Sequence, residues 1–298
     1  MSLSNWKAFA AALLTPRFLV SPSPAAYYDF LGDDVIEGKH GGFRDPNKPL
    51  WLNLGYWKDA RTYPKAAEAM ATKLADAAKL GAGDELLDVG FGFGEQDLFW
   101  LEHYSPKRIV GLNITPKQVE RAQARMKERG VDDRIDLRFG SATEVPFPDG
   151  SFDRVTALEC AHHFDTREDF FREAFRVLRP GGRIATADGA RYPGSGPLTL
   201  VNKMALRRWS VPLANMYDRE EYKKRLEAAG FVNPTAESIR SYVFPGIGKY
   251  HLLRNSGMSM ADATIELSQG EIDSVLGLDL WETIGLTDYV IFSAEKPS

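Results

Sequence analysis

Between residues 64 and 187 the sequence alternates between helical and strand patterns, and this alternation constrains the fold more than any other feature. Strands are predicted at 85–89, 108–112, 135–139, 152–158 and 182–187. Between them, apolar residues recur at helical spacing and predict helices at 64–80, 95–103, 116–129 and 167–178. Because repeated βα units form a parallel sheet with helices on both faces, the pattern predicts a doubly wound α/β fold.

The regular alternation stops after residue 188. Beyond it the pattern predicts elements at uneven spacing, with helices at 198–209 and 218–229 and strands at 235–244 and 287–294. We interpret the irregular stretches 191–217 and 245–285 as insertions in one domain that spans 51–298. Residues 1–50 are interpreted as an N-terminal arm, because prolines break their helical pattern early.

The composition argues against several classes of protein. The 37 basic and 41 acidic residues leave a formal charge of −4, so the chain is not built for general nucleic-acid binding. The longest purely apolar run, Ala8 to Leu14, is far shorter than the roughly 20 residues of a membrane-spanning helix, and no signal-peptide cleavage site follows it. The single cysteine, Cys160, allows no internal disulfide and predicts a cytoplasmic location. One cysteine among scattered histidines also predicts no metal site.

A glycine-rich turn follows the first predicted strand and opens the next helix. Gly90, Gly92 and Gly94 stand at alternate positions after Asp88. Glycines in such a place let the backbone turn tightly and approach a ligand. The dinucleotide fingerprint G-x-G-x-x-G would need a glycine at 95 or 97, where the chain has glutamate and aspartate. The spacing therefore disfavours a nicotinamide cofactor, and a purely structural turn stays an alternative.

The pattern D-x-G-x-G-x-G in this turn resembles motif I of the class I S-adenosylmethionine (SAM) dependent methyltransferases. The segments 147–153 (FPDGSFD) and 176–182 (RVLRPGG) resemble the parts of that family that precede its fourth and fifth strands. The segments 52–57, 111–115 and 157–164 are similar to its natural-product and lipid branch. That branch includes rebeccamycin- and erythromycin-type O-methyltransferases and sterol and tocopherol C-methyltransferases. The resemblance implies a seven-stranded, mostly parallel, Rossmann-like sheet.

The resemblance also implies which residues contact SAM. They are Asp88, Gly90, Gly92, Gly94, Asn113, Ser141, Ala142, Tyr28 and Trp57. In the family, the turn holds the methionine part, an acidic residue at the position of Asn113 holds the ribose, and Asp-Ala in place of Ser141 and Ala142 lies beside the adenine. Asn113 and Ser141 depart from this pattern. Asn113 can still bind hydroxyls, less strongly than a carboxylate, and a structural role is the alternative for both.

A pair of histidines stands where a sheet of this kind binds ligands. His162 and His163 follow the fourth predicted strand and Asp188 follows the fifth, at the edge where open α/β sheets carry their sites. In the branch that the chain resembles, such a pair and acid are associated with proton removal. The resemblance therefore implies His163, or else His162, as general base with Asp188 orienting the imidazole. A packed histidine that positions the loop is the alternative, and Glu159 and Cys160 are expected to serve strand packing.

The resemblance implies a methyltransferase that converts SAM to S-adenosylhomocysteine (SAH). O-methylation of a lipophilic small molecule or a glycosylated natural product is the first expectation. C-methylation of an isoprenoid, quinone or sterol-like lipid at a membrane surface is the alternative. A SAM-binding protein without catalytic activity is the alternative from another class. Turnover of any acceptor would exclude it.

The two insertions are expected to form a lid over the acceptor, because they are rich in aromatic residues and methionine. Residues 191–211 also carry Arg191, Lys203, Arg207 and Arg208 without an acid. A peripheral contact of this basic stretch and the arm with an anionic membrane therefore stays open. The simpler interpretation is that these charges are paired or solvated. The sequence likewise leaves a homo-oligomer open.

Overall fold

The computed structural model describes residues 49–255, 265–272 and 286–298. Its strands are β1 (Glu85–Val89), β2 (Arg108–Asn113), β3 (Ile135–Phe139), β4 (Phe152–Leu158), β5 (Leu178–Arg191), β6 (Val232–Ser238) and β7 (Thr287–Glu295). They form one seven-stranded sheet in the order β3-β2-β1-β4-β5-β7-β6. Strand β7 runs antiparallel to both of its neighbours, β5 and β6, and the other strand pairs are parallel. The predicted seven-stranded, mostly parallel sheet is therefore confirmed.

Helices cover both faces of the sheet. They are α1 (Tyr63–Ala78), α2 (Glu95–Tyr104), α3 (Pro116–Arg129), α4 (Arg167–Val177), α5 (Leu200–Arg208), α6 (Arg219–Ala228) and α7 (Phe244–Asn255). Helices α1, α2 and α3 bury Leu74, Trp100 and Met126 in one apolar cluster. Helices α4 and α6 bury Phe171 and Tyr222 in a second cluster. The alternation predicted from the sequence thus produces the doubly wound arrangement.

The strand predicted near 235–244 is wrong beyond Ser238. The chain leaves the sheet there, makes a 3₁₀ turn at Arg240–Tyr242 and begins α7 at Phe244. Ile239 and Val243 are fully buried, but they pack in the cluster beneath α7 instead of continuing the strand. An apolar run with β-branched residues favours a strand locally, and tertiary packing overrides that preference here.

Several predictions fall outside the described residues. These are the N-terminal arm with Tyr28 and much of the second insertion. Just after the arm, the side chains of Trp51 and Trp57 are buried against α1, in the cluster that contains Met70 and Leu74. Within the described ranges, no helix has the length and apolar character that crossing a membrane requires.

Candidate active site

A cavity of about 950 Å³ opens at the carboxyl ends of β1, β2, β4 and β5. Open α/β sheets bind their ligands at this edge, where the strand order reverses. The cavity wall comes from the β1–α2 turn, the ends of β2 and β4, residues 50–54, and parts of α5 and α7. Its volume is large enough for a cofactor and a second small molecule.

Two of the three predicted glycines lie on the cavity wall. Gly90 and Gly92 have φ values of +75° and +57°, a backbone conformation that glycine adopts without steric cost. A Cβ atom at Gly90 would lie 2.5 Å from that of Cys160, and one at Gly92 would lie 3.0 Å from Leu52 Cδ1. Gly94 instead faces α3 and β3, so it lets the helix pack closely and does not contribute to the wall.

Asp88 lies behind the glycine turn and not on the cavity wall. Its fully buried carboxylate accepts hydrogen bonds from Thr156 Oγ1 (2.8 Å) and Gln96 Nε2 (3.1 Å). Burial raises the pKa of Asp88 to about 7. Burial and the neighbouring Asp88 raise the pKa of Asp97 well above its usual range. Asp88 supports the turn through Gln96, and its predicted contact with the cofactor stays a prediction.

Beside the turn, the cavity contains polar atoms that lack partners. Both polar side-chain atoms of Asn113 are hydrogen-bonded to neighbouring residues. Its Oδ1 accepts from the Thr115 amide (3.1 Å) and its Nδ2 donates to Gln118 Oε1 (2.9 Å). Thr115 Oγ1 and Gln118 Nε2 are buried on the cavity wall, and neither has a hydrogen-bond partner in the described part of the chain. Buried polar atoms are normally paired, so both atoms are candidates for contact with a ligand. Gln118 lines the cavity, and the sequence analysis did not single it out as a candidate site residue.

The remaining predicted cofactor residues divide into two groups. Ser141 and Ala142 lie on the wall near Asn113, and the Ser141 hydroxyl is 2.9 Å from that of Thr143. Trp57 does not reach the wall, because it is buried and donates from Nε1 to the Leu54 carbonyl at 2.8 Å. Trp57 therefore supports residues 52–54, which do line the cavity.

The structure brings His162, and not His163, against Asp188. His162 Nδ1 makes a short hydrogen bond to Asp188 Oδ1, and its side chain lines the cavity. Arg167, fully buried, donates from Nη2 to the other oxygen, Asp188 Oδ2, at 2.9 Å. Burial alone would raise the pKa of Asp188, but the charges of Arg167 and His162 hold it below its usual value. Asp188 is thus an ionised carboxylate that fixes the His162 ring.

His163 has a different environment although it also touches the cavity. Its Nδ1 lies 3.2 Å from the Ser210 carbonyl oxygen, and only 7% of the residue is exposed. Burial, with a smaller effect from His162, lowers the pKa of His163 to about 3. A neutral imidazole bonded to a backbone carbonyl fits the alternative of a histidine that positions the loop.

Asn215 joins the histidine turn to the start of α4. Its Nδ2 donates to the carbonyls of His162 (3.1 Å) and Phe164 (2.6 Å), and its Oδ1 accepts from the Arg167 amide (3.2 Å). The side chain is 1% exposed, so these bonds are shielded from water. Asn215 lies in the first insertion, and no local motif pointed to it before the structure was known.

Glu159 has more contacts than a residue that serves only strand packing. Its Oε1 accepts hydrogen bonds from the Leu54 amide (2.7 Å) and the Tyr289 hydroxyl (2.5 Å), and its side chain lines the cavity. Burial raises the pKa of Glu159 to about 7. Among the described residues, no group of three or more histidine, cysteine or acidic side chains is arranged to hold a metal ion.

The fold and this site define the class of the protein. A family model described as "Methyltransferase domain" matches residues 87–186, which include the glycine turn, the histidine pair and most of β5. The chain belongs to the SAM-dependent methyltransferases, and SAM is its cofactor.

Two relatives align with nearly the whole chain. The chain is 38% identical to erythromycin 3''-O-methyltransferase of Saccharopolyspora erythraea over 93% of its own length and 92% of that protein. It is 34% identical to 27-O-demethylrifamycin SV methyltransferase of Amycolatopsis mediterranei over 87% of its own length and 95% of that protein. Both relatives are named as methyltransferases of natural products.

Solved structures share the fold at lower sequence identity. The [4+2]-cyclase SpnF has a TM-score of 0.70 at 24% identity and covers 93% of this chain and 97% of its own. A geranyl diphosphate methyltransferase in complex with SAM has a TM-score of 0.62 at 24% identity and covers 78% of this chain and 86% of its own. At these identities the likeness supports the fold alone.

Proposed function

We propose that this protein O-methylates a lipophilic small molecule or glycosylated natural product and that His162 is the general base. The observation that carries the proposal is the His162–Asp188–Arg167 arrangement on the wall of the cavity that also contains the glycine turn. Relatives named as O-methyltransferases of erythromycin and methyltransferases of rifamycin support the acceptor class.

The proposed chemistry needs little beyond alignment and removal of one proton. When bound, SAM supplies a methyl group that its sulfonium already activates, with Gly90, Gly92, Gln118 and Thr115 as the residues that would hold it. Asp188 accepts from His162 Nδ1, so Nε2 is the nitrogen left to take a proton from the acceptor hydroxyl. The ionised Asp188 then stabilises the imidazolium, and Arg167 keeps Asp188 ionised.

The acceptor part of the cavity is apolar. Leu206 and Trp209 at the end of α5 and Phe244 and Ile247 at the start of α7 face it. Such walls favour a lipophilic acceptor, with a few polar groups to fix its orientation. The lid predicted from the two insertions stays a proposal, supported by this position of α5 and α7.

C-methylation of an isoprenoid or sterol-like lipid is the second candidate, and the surface of α5 favours it. Leu200, Val201 and Met204 are 74%, 45% and 51% exposed, and the exposed Lys203 lies among them. An apolar and basic surface of this kind fits an anionic membrane. A relative named 24-methylenesterol C-methyltransferase 2, of rice, is 34% identical over 41% of the chain. Membrane contact, self-association and a cytoplasmic location stay predictions.

The proposal is tested first by finding the acceptor. The protein is incubated with isotopically labelled SAM and a fractionated metabolite extract, with macrolides bearing a free sugar hydroxyl as defined probes. A labelled product that mass spectrometry identifies as a methyl ether supports O-methylation. A carbon-methylated lipid would support the second candidate, and no labelled product at all would favour a silent SAM-binding protein.

The base is then tested with histidine variants at saturating SAM. We expect His162→Ala to lower kcat by about 10²- to 10⁴-fold, because no base then takes the proton from the hydroxyl that is methylated. The Kd for SAM should stay unchanged. His103→Ala is the matched control, since that histidine lies exposed on α2. Near-normal turnover of His162→Ala contradicts the proposal, and a large loss in His163→Ala alone would assign the base to His163.

A further inference from the structure

We propose that Glu159 binds the sulfonium cation of SAM and gives the site its preference for SAM over the uncharged sulfur of SAH. This inference rests on the proposed position of the methionine part of SAM at Gly90 and Gly92. The sequence analysis expected Glu159 to serve strand packing and did not include it among the residues that contact SAM. Its assignment comes from the backbone, the hydrogen bonds and the charges around it.

The backbone at Glu159 has a conformation that side chains rarely adopt. Its φ of +54° lies in the left-handed region, which costs a residue with a Cβ about 1 kcal/mol or more. The Glu159 amide donates to the Ala187 carbonyl at 2.8 Å, so the turn out of β4 is held by β5. A glycine would adopt this conformation without that cost. The glutamate therefore places a carboxyl group here in spite of the backbone strain.

Among the described residues, hydrogen bonds reach only one of the two carboxyl oxygens of Glu159. Both the Leu54 amide and the Tyr289 hydroxyl donate to Oε1. Oε2 accepts no hydrogen bond from any described residue, and it is not among the buried atoms without partners. Because the side chain lines the cavity, Oε2 is the oxygen that can contact a ligand.

The charges around Glu159 favour a cation at that oxygen. Its two hydrogen-bond donors, Leu54 and Tyr289, are neutral, and the nearby Asp188 adds negative charge. Asp188 has Arg167 as its positive partner, whereas no cationic side chain bonds Glu159 in the described ranges. Buried carboxylates are normally paired with positive charge, so a cationic ligand would complete the site.

Glu159 lies between the two groups that methyl transfer has to connect. The next residue, Cys160, packs against Gly90 of the turn, and His162 faces the cavity two residues further on. The methyl group passes from a sulfonium near the turn to an oxygen near His162, and the sulfur loses its positive charge in that step. A carboxylate beside this path therefore holds the reactant more tightly than the product.

The test is the affinity of Glu159→Gln for SAM and for SAH, measured by titration calorimetry. Glutamine keeps an Oε1 that can accept from Leu54 and Tyr289 and removes the charge. We expect the Kd for SAM to rise about tenfold and the Kd for SAH to change less than twofold. Glu237→Gln is the control, because that glutamate lies on β6 and pairs with Lys73 away from the cavity. Equal losses for SAM and SAH, or no loss for either, would overturn the inference.

A second measurement uses the wild type and does not depend on how the variant folds. The pKa of Glu159 is raised to about 7, so binding of a cation beside it expels protons at pH 7. Calorimetry in buffers of different ionisation enthalpy should show more protons released by SAM than by SAH. The titratable groups facing Glu159 are Asp188, Tyr289 and, on its own loop, Cys160. Equal proton release would refute the role of Glu159, whereas failure of both ligands to bind would refute the cofactor site itself.

Discussion

Asp188 functions as an anion at a place that water does not reach. Arg167 donates to it and also to the carbonyls of Gly189 and Asn215, the latter at 2.7 Å. Burial disfavours the charged form of Arg167, but the carboxylate raises its pKa above the usual value. A guanidinium fixed by backbone carbonyls therefore keeps Asp188 ionised and oriented toward His162.

At Gly92, we predict that alanine weakens SAM binding without unfolding the protein. The new Cβ would lie 3.0 Å from Leu52 Cδ1 at the cavity wall, on a backbone with φ of +57°. The strain should cost about 1 to 2 kcal/mol of stability, and the displaced turn should raise the Kd for SAM and SAH at least tenfold. Calorimetry measures both constants.

Gly150→Ala is the matched control for this prediction. Gly150 has a φ of +65°, and a Cβ there would meet nothing within 4 Å. It should lose similar stability and bind SAM like the wild type. If Gly92→Ala also binds SAM like the wild type, the glycine turn is not where SAM lies.

Residue roles were only partly predictable from the sequence. The predicted strand ends placed the histidine pair and Asp188 at one edge of the sheet, and the structure brings His162 against Asp188. The spacing could not choose between His162 and His163, because both lie in a 3₁₀ turn, Ala161–His163, where ring directions depend on Asn215 and Ser210.

Thr115 and Gln118 show why a local motif can mislead. Their spacing predicts a capping box at the start of α3, and that prediction is wrong. The Thr115 side chain makes no capping bond, and Gln118 accepts from Asn113 instead. The helix begins as predicted because Pro116 sets its first turn, so the two polar side chains remain available at the cavity.

At the scale of elements, the β1–α2 unit carries a pair of buried carboxyl groups whose protonation affects stability. The pKa values of Asp88 and Asp97 are both raised in the folded state. The folded protein therefore binds more protons than the unfolded chain between about pH 4 and 7, and this contribution to stability falls as the pH rises. The Asp97 carboxyl group lies against that of Asp88 and has no cationic partner among the described residues.

We predict that Asp97→Asn reduces this loss of stability. An amide removes one of the two negative charges and can donate to Asp88, so the melting temperature of the variant should exceed that of the wild type by more at pH 8.0 than at pH 5.5. Differential scanning calorimetry at both values measures the change. Asp133→Asn, an exposed position, should show no such pH-dependent difference. If the melting temperature of the variant at pH 8.0 equals that of the wild type, repulsion between the two carboxylates does not destabilise the folded protein.

Regular elements were the most predictable part of the molecule. The bounds of β1, β3, β4 and α3 agree with those predicted, because periodicity and end signals coincide there. The strand β5 is longer than predicted at both ends, since Phe152 of β4 pairs with Leu178 and β7 pairs with it as far as Arg191. The pairing of Arg191 depends on Thr287, a partner far along the chain that local patterns do not contain.

For the whole molecule, we predict that SAH binding protects the segments over the cavity from hydrogen exchange. Residues 50–54, the end of α5 and the start of α7 form its outer wall, so a bound ligand should hold them together. Protection is expected at 49–57, 200–211 and 244–251. Exchange followed by mass spectrometry with and without SAH measures it, and peptides from residues 1–48 test whether the arm takes part.

The helix α6 provides an internal reference for this measurement, because it does not contribute to the cavity wall. Its exchange should not change when SAH binds. Unchanged exchange in all three segments over the cavity would contradict a lid, and protection confined to 49–57 would limit closure to the strip beside the glycine turn.

The first predicted insertion leaves the sheet beside the residue at which β7 begins. Arg191, which ends β5, pairs with Thr287, which begins β7, and the Tyr192 amide donates to the Leu286 carbonyl at 2.6 Å. Because β7 is antiparallel to β5, the first insertion leaves the sheet where the second returns to it. Both junctions lie at the cavity, whose wall includes Ala190 and Thr287. A chimaera that takes its acceptor specificity from a relative would have to graft both segments as a unit, while the sheet and the glycine turn stay as they are.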